Sequence, residues 1–356
     1  MLLARRLPSA ERWLALKAGT EEVALTKIRV GSMQLMAMVV GAAAFSVAQF
    51  ASPQVSSATA RPATSPATDT TSQPVAITQV AMRKVNFYVT PNAALRIREL
   101  RGEMRPLKSG PVFFDDKTSF VIRLAQAEVG LNGSDLSSLL NTVVFAYPGA
   151  PLKRLRVHTD GTRLVQSGIM HKIVDIPFEI VADVSVTPDG LIRLRPVKTK
   201  ILGIDGNGLM RAFGLSLEKI LDLSKAVGVT VKGNDLFLNP TKLLPPPKIE
   251  GHMTGIRVEG DELVQTFGSS ATPSSLIPSD STAPAYMYYK GGTLRFGKLL
   301  MLDADMQIVA LKGPGFFGFD LDRYKQQLVA GYSRTLSNFG LVVYMPSVET
   351  LPANGK

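Results

Sequence analysis

His171 and Asp175 stand four residues apart in MHKIVD, on one face if the segment is a strand. A His–carboxylate pair so placed can act as an acid–base dyad or as half of a metal site. Asp303 and Asp305, two apart, would lie about 6.6–7 Å apart along a strand, a separation compatible with the two carboxylates of an inverting glycosidase. Asp115-Asp116 is a third acidic cluster and reads as a loop. Gly203-Ile-Asp-Gly-Asn-Gly208 has the composition of an ion- or phosphate-binding loop, but its spacing fits neither an EF-hand nor a dinucleotide fingerprint. A strand-to-helix turn accounts for it. The rest of the chemical inventory is thin. There are three histidines, His158, His171 and His252, and no cysteine, which excludes disulfides, thiolate metal sites, iron–sulfur clusters and a cysteine nucleophile. Gly-x-Ser-x-Gly, phosphate-loop and His-Glu-x-x-His motifs are all missing. Solvated surface pairs explain both candidate dyads more simply, so the expectation is binding rather than catalysis, with no catalytic residue, no metal and no cofactor.

The elements that must position any site begin after an address. Of 356 residues, 45% are apolar and 19% charged, enough to bury a sizeable core. Residues 30–60 carry no charge, and 33–50 (MQLMAMVVGAAAFSVAQF) form an apolar run behind Lys27 and Arg29, followed by small residues at 56–60. Basic, apolar, then small is the export pattern, so 1–58 is expected to be a signal peptide or signal anchor that leads beyond the inner membrane to the periplasm or cell envelope. The lead at 1–29 is long for such a signal, so the natural start is expected nearer Lys27. Removing 1–58 takes away six basic and three acidic residues, so 40 − 6 = 34 against 29 − 3 = 26 leaves +8. A basic exported body suits an anionic membrane surface rather than nucleic acid. Residues 59–78 are a Pro/Ser/Thr-rich linker and 268–284 a second one. They bound a main β-rich domain at 79–267 and a unit at 285–348 that adds strands and a helix, with a tail at 349–356.

Alternation with period two dominates the body. Ile176, Phe178, Ile180, Ala182, Val184 and Val186 form one apolar face, opposite Glu179, Asp183 and Ser185. A turn of Gly, Asp or Asn between apolar β residues recurs after Val157, Val186, Val231 and Val258, which predicts four hairpins of an antiparallel meander. Leu294, Phe296, Leu300, Leu302, Ala304, Met306 and Ile308 read as one face of a single strand of about 50 Å, long enough that the sheet must curl. Three apolar-striped helices are predicted: 134–145 with Ser134 as N-cap, 207–225 with a break at Gly214, and one from Asp320 to Tyr332. The expected fold class is therefore α+β, a long curved antiparallel sheet wrapped around apolar helices.

HKIVDIPFEIVADVSVTPDGLIRLRP, the helix LMRAFGLSLEKIL, VTVKGNDLFLNPTKLLPPPKIEG and TGIRVEGDELVQTFG, in that order, resemble exported bacterial proteins of the LmeA-like group, related to the tubular lipid-binding (TULIP) superfamily. The resemblance covers about 120–268. It implies a TULIP-like sheet around a helix, an apolar channel for acyl chains and a location beyond the inner membrane. The expected lining is Leu140, Val144, Phe178, Ile180, Met210, Phe213 and Met306, with Arg193 and Arg195 at the rim for an anionic headgroup. The partners would be a lipid or phospholipid and a membrane surface. Two other readings stay open: an envelope scaffold with a closed core, and an enzyme acting on lipid-linked carbohydrate through Asp303/Asp305 or His171/Asp175.

Overall fold

Two apolar parities meet in the first strand. β1 (Thr78–Thr90) carries Val80 and Met82 at even positions, then Val85, Phe87 and Val89 at odd ones, and all five are buried. Period-two alternation can put both runs on one face only where the backbone resets. The reset is at Lys84, which takes φ of 50° between the pairs Arg83↔Glu99 and Val85↔Ile97. The facing strand β2 (Ala93–Pro106) changes parity at the same level, burying Leu95 and Ile97, then Leu100 and Met104. Against β4 (Phe120–Asn132), β2 pairs Ile97↔Val129 and then Glu99↔Glu128, so Arg98 is the residue in excess.

The computed structural model describes residues 77–352 apart from 172–173, 207–215, 269–275, 312 and 314, all within a compact unit that begins at Thr71. The expected export segment 1–58 and most of the linker 59–78 lie outside the described residues. So do Met210, Phe213 and part of the linker 268–284.

The remaining strands are β3 (Val112–Phe113), β5 (Leu152–Asp160), β6 (Arg163–His171), β7 (Asp175–Val186), β8 (Ile192–Ile201), β9 (Ile204–Asp205), β10 (Val229–Lys232), β11 (Asp235–Leu238), β12 (Lys248–Glu250), β13 (Met253–Glu259) and β14 (Glu262–Gly268). The C-terminal part adds β15 (Tyr286–Lys290), β16 (Thr293–Phe296), β17 (Leu299–Leu302), β18 (Asp305–Ala310), β19 (Phe317–Asp320), β20 (Tyr332–Thr335) and β21 (Leu341–Met345). The first sheet runs β13-β14-β4-β2-β1-β15-β18-β21-β20, with β12 beside β4 and β19 beside β1. The far edge of β1 is shared: β15 pairs antiparallel with Gln79–Arg83, and β19 runs parallel to Val85–Tyr88. The second sheet is β10-β11-β8-β7-β6-β5, with β9 beside β8, and the third is β17-β16-β3.

All four sequence-predicted hairpins form, closing Asp160↔Arg163, Val186↔Ile192, Lys232↔Asp235 and Glu259↔Glu262. In the first and last, Gly161 and Gly260 take the first central turn position with φ of 59° and 64°, the conformation that a type II′ hairpin requires there.

The expected α+β, TULIP-like sheet around apolar helices is not the fold. Strand holds 55% and helix 10% of the described residues, and among them only one helix reaches seven residues. That helix is α1 (Gly133–Leu139), which runs on as one π-helical turn, Leu140–Val144. Its N-cap is Asn132 rather than Ser134. Asn132 Oδ1 accepts from Asp135 N at 2.8 Å, and Asp135 closes a capping box. The other described helices, α2 (Leu217–Ile220) and α3 (Tyr324–Val329), are too short to serve as a wrapped core. Of the 207–225 stripe, 207–215 lie outside the described residues, and Tyr332, placed on the last stripe, is instead exposed in β20.

The single 50 Å strand also does not form. Gly297 (φ 60°) and Asp303 (φ 53°) turn the chain twice, making the β16–β17 hairpin and then β18 in another sheet. Leu294, Phe296, Ala304, Met306 and Ile308 are buried, but Leu300 and Leu302 of the expected inward face are 52% and 75% exposed. Period two persisted through two reversals, so the pattern could not show them.

Candidate functional site

The first two sheets turn apolar faces toward a shared space. From the first come Phe87, Ile97 and Val129; from the second, Leu164, Ala182 and Leu194. Each sits on one parity of its strand, so the face is set by alternation. α1 and the π turn close part of the space with Leu136, Leu140 and Val144. The segment after β11 contributes Pro240, Leu243 and Leu244. The result is a cavity of about 170 Å³, counted as the space the centre of a water molecule can reach. Of its 42 described lining residues none is ionisable, and among them only Gln166, Thr199, Thr241 and Gln265 carry polar side chains. A space with such walls accepts hydrocarbon and leaves any charge inside it unpaired.

The π turn is fastened by its side chains. Asn141 Oδ1 accepts from Leu155 N at 2.9 Å, and its Nδ2 donates to Leu155 O at 2.7 Å. Ser137 Oγ accepts from Val157 N at 2.8 Å. A bulge in β5 between Lys153 and Arg156, with Arg154 at φ 52°, turns Leu155 away from the β6 ladder and toward this clasp.

Leu140, Val144, Phe178 and Ile180, four of the sequence-predicted lining residues, border the cavity. Met306 does not: it is fully buried in β18, packed in the core. Met210 and Phe213 fall outside the described residues. Arg193 and Arg195 alternate with Ile192 and Leu194, which line the cavity, and so point to the opposite face of β8. There Arg193 bonds Asp235, Arg195 Nε stands 3.8 Å from the same carboxylate, and the Arg193 guanidinium lies 5.9 Å from the centre of the Phe237 ring.

Sequence reasoning missed the whole first-sheet wall. The signal was present in β1 as Val80 and Met82 followed by Val85, Phe87 and Val89, two alternating runs joined by the charged pair Arg83-Lys84. On the outer face at that level Arg83, Lys84, Arg96 and Arg98 gather around Glu262 and Phe316. Arg96 bonds Glu262, and Arg98 reaches Glu262, Glu259 and Glu128 at 3.0–3.1 Å, so these two cations are paired with carboxylates.

The candidate dyads land on the surface. His171 Nδ1 lies 2.5 Å from Asp175 Oδ1 at the turn end of the β6–β7 hairpin, and both are exposed. The hydrogen bond from His171 holds the Asp175 carboxyl below its usual value. Asp303 is exposed in a turn, while Asp305 is half-buried and bonded to Lys290 Nζ at 2.8 Å, Tyr288 Oη at 3.1 Å and Asn338 Nδ2 at 3.1 Å. Burial pushes the Asp305 carboxyl up, but Lys290 and Tyr288 outweigh it and the net shift is downward. A glycosidase acid needs the opposite shift. Among the described residues, no three His, Asp or Glu side chains gather as metal ligands.

Tyr286, Tyr288, Tyr289, Phe317 and Phe319 are all buried in core packing. Among the described residues no helix is long and apolar enough to cross a membrane. No family model, curated protein or solved structure matches this chain.

Proposed function

We propose that this protein binds a lipid by burying acyl chain between its first and second sheets. The observation that carries the reading is the lining: among the described residues, 42 side chains, drawn chiefly from both sheets, α1 and the π turn and none of them ionisable, surround unfilled space. Each methylene moved from water into such a space contributes about 0.8 kcal/mol. Native cores rarely keep voids much larger than a water molecule without a use for them.

The apolar run at 33–50, with its basic lead, supports export and a working place at the cell envelope. The β16–β17 hairpin supports contact with a membrane. Leu299, Leu300 and Leu302 are exposed beside Arg295 and Lys298, an apolar tip with cations that suits an anionic lipid surface.

Lipid extraction from the full-length protein, purified without detergent, followed by mass spectrometry, tests the reading. The expected result is an acyl lipid near one equivalent per chain, or uptake of a fluorescent fatty-acyl probe that the extract displaces. A lipid-free protein that takes up no acyl probe would overturn it in favour of an envelope scaffold.

A further inference from the structure

Two polar side chains inside the cavity lack partners. Thr199 is 2% exposed, and its hydroxyl has no hydrogen-bond partner. Gln265 is 6% exposed and stands between Leu263 and Phe267 on the lining face of β14. Its carboxamide has no hydrogen bond to any described residue. By contrast, Thr241, the other lining threonine, bonds Asn239 Oδ1 at 3.0 Å.

Register adds a third group. Gln166 pairs with Ile180 and Ile180 with Thr199, so the three form one row across β6, β7 and β8, all on the cavity wall. Gln166 and Thr199 flank Ile180 at two strand spacings, about 10 Å. Gln265 belongs to the other sheet. Buried polar groups are nearly always paired, and all three of these residues line the cavity.

We propose that Thr199, Gln265 and Gln166 form a polar station that takes an uncharged hydrogen-bonding group of the ligand, an ester carbonyl or a hydroxyl. This rests on the lipid reading above and narrows it to a neutral ester lipid of the acylglycerol class. A hydroxyl and two carboxamides can both donate to a carbonyl and accept from a hydroxyl. With no cation among the described lining residues, a carboxylate or phosphate drawn to that depth would find no partner among them. A plain hydrocarbon would leave the station desolvated and unbonded, and sites of this kind discriminate against ligands that lack the matching group.

The test is competition for a bound fluorescent acyl probe on the full-length protein, using dioleoylglycerol, squalene and oleate at pH 8. Thr199→Val and Gln265→Leu keep shape and remove the polar atoms. Wild type should bind dioleoylglycerol about tenfold or more tighter than squalene or oleate. The double variant should lose about tenfold for dioleoylglycerol and nothing for squalene. Its melting temperature should hold or rise, because unpartnered buried groups have been removed. Equal affinity of wild type for all three ligands overturns the station and leaves the lipid reading intact. So does a double variant that weakens ester and hydrocarbon alike. If no ligand displaces the probe or the probe itself does not bind, the lipid reading falls and the station with it.

Discussion

The carboxamide of Asn141 clasps the backbone of Leu155 from both sides, accepting from its N–H at 2.9 Å and donating to its carbonyl at 2.7 Å. Leu155 lies in the β5 bulge, outside the β6 ladder, and is 1% exposed, so nothing else replaces those bonds cheaply. Asn141→Ala leaves two buried backbone groups unpaired and should cost about 2–4 kcal/mol in chemical denaturation. Thr142→Ala, one residue on and exposed, should stay within about 0.5 kcal/mol. Equal costs for the two would remove the clasp from any role in closing the cavity.

Ala182 pairs with Leu164 in the middle of the second sheet and lines the cavity. Ala182→Trp should fill space that a ligand would occupy. Acyl-probe capacity should fall by more than half while stability drops by less than about 1 kcal/mol, since packed cores lose more than that on overpacking. A large loss of stability with full probe capacity would place the ligand elsewhere.

Asp305 titrates below its ordinary value of 3.8 because burial, which opposes this, is outweighed by Lys290 and Tyr288. Its native form therefore binds fewer protons than the unfolded chain around that pH. The stabilisation is complete above the ordinary aspartate value and fades as pH falls through the lowered one. Asp305→Asn should cost about 1–3 kcal/mol at pH 7 and flatten the acid limb of a stability–pH curve. An acid limb of unchanged steepness would mean that other carboxylates govern it.

Leu300 and Leu302 are 52% and 75% exposed on the edge strand β17. Leu300→Asp with Leu302→Asp removes little buried area, so the melting temperature should hold. Co-sedimentation with vesicles containing anionic phospholipid should drop severalfold. Retained vesicle binding would move the membrane contact away from this hairpin.

Local signals were legible without the structure. The alternating face of β7 and the four Gly/Asp/Asn turns predicted the β5–β8 meander and the β13–β14 hairpin because period two and turn chemistry are properties of a few adjacent residues. From that face Phe178 and Ile180 were read as lining, and Leu140 and Val144 from a helical stripe. The sequence also determined the poverty of chemical residues: no cysteine and three histidines. Tertiary structure decided where alternation resets. Lys84, Gly297 and Asp303 take positive φ, and at Lys84 and Asp303 no residue type announces it, since a non-glycine is held there only by surrounding strands. Those resets put Phe87 on the wall, kept Met306 off it and exposed Leu300 and Leu302. Tertiary structure also decided that Thr199 and Gln166 share a row and that Gln265 joins the same cavity from another sheet. Pairing across strands joins residues that no local window contains.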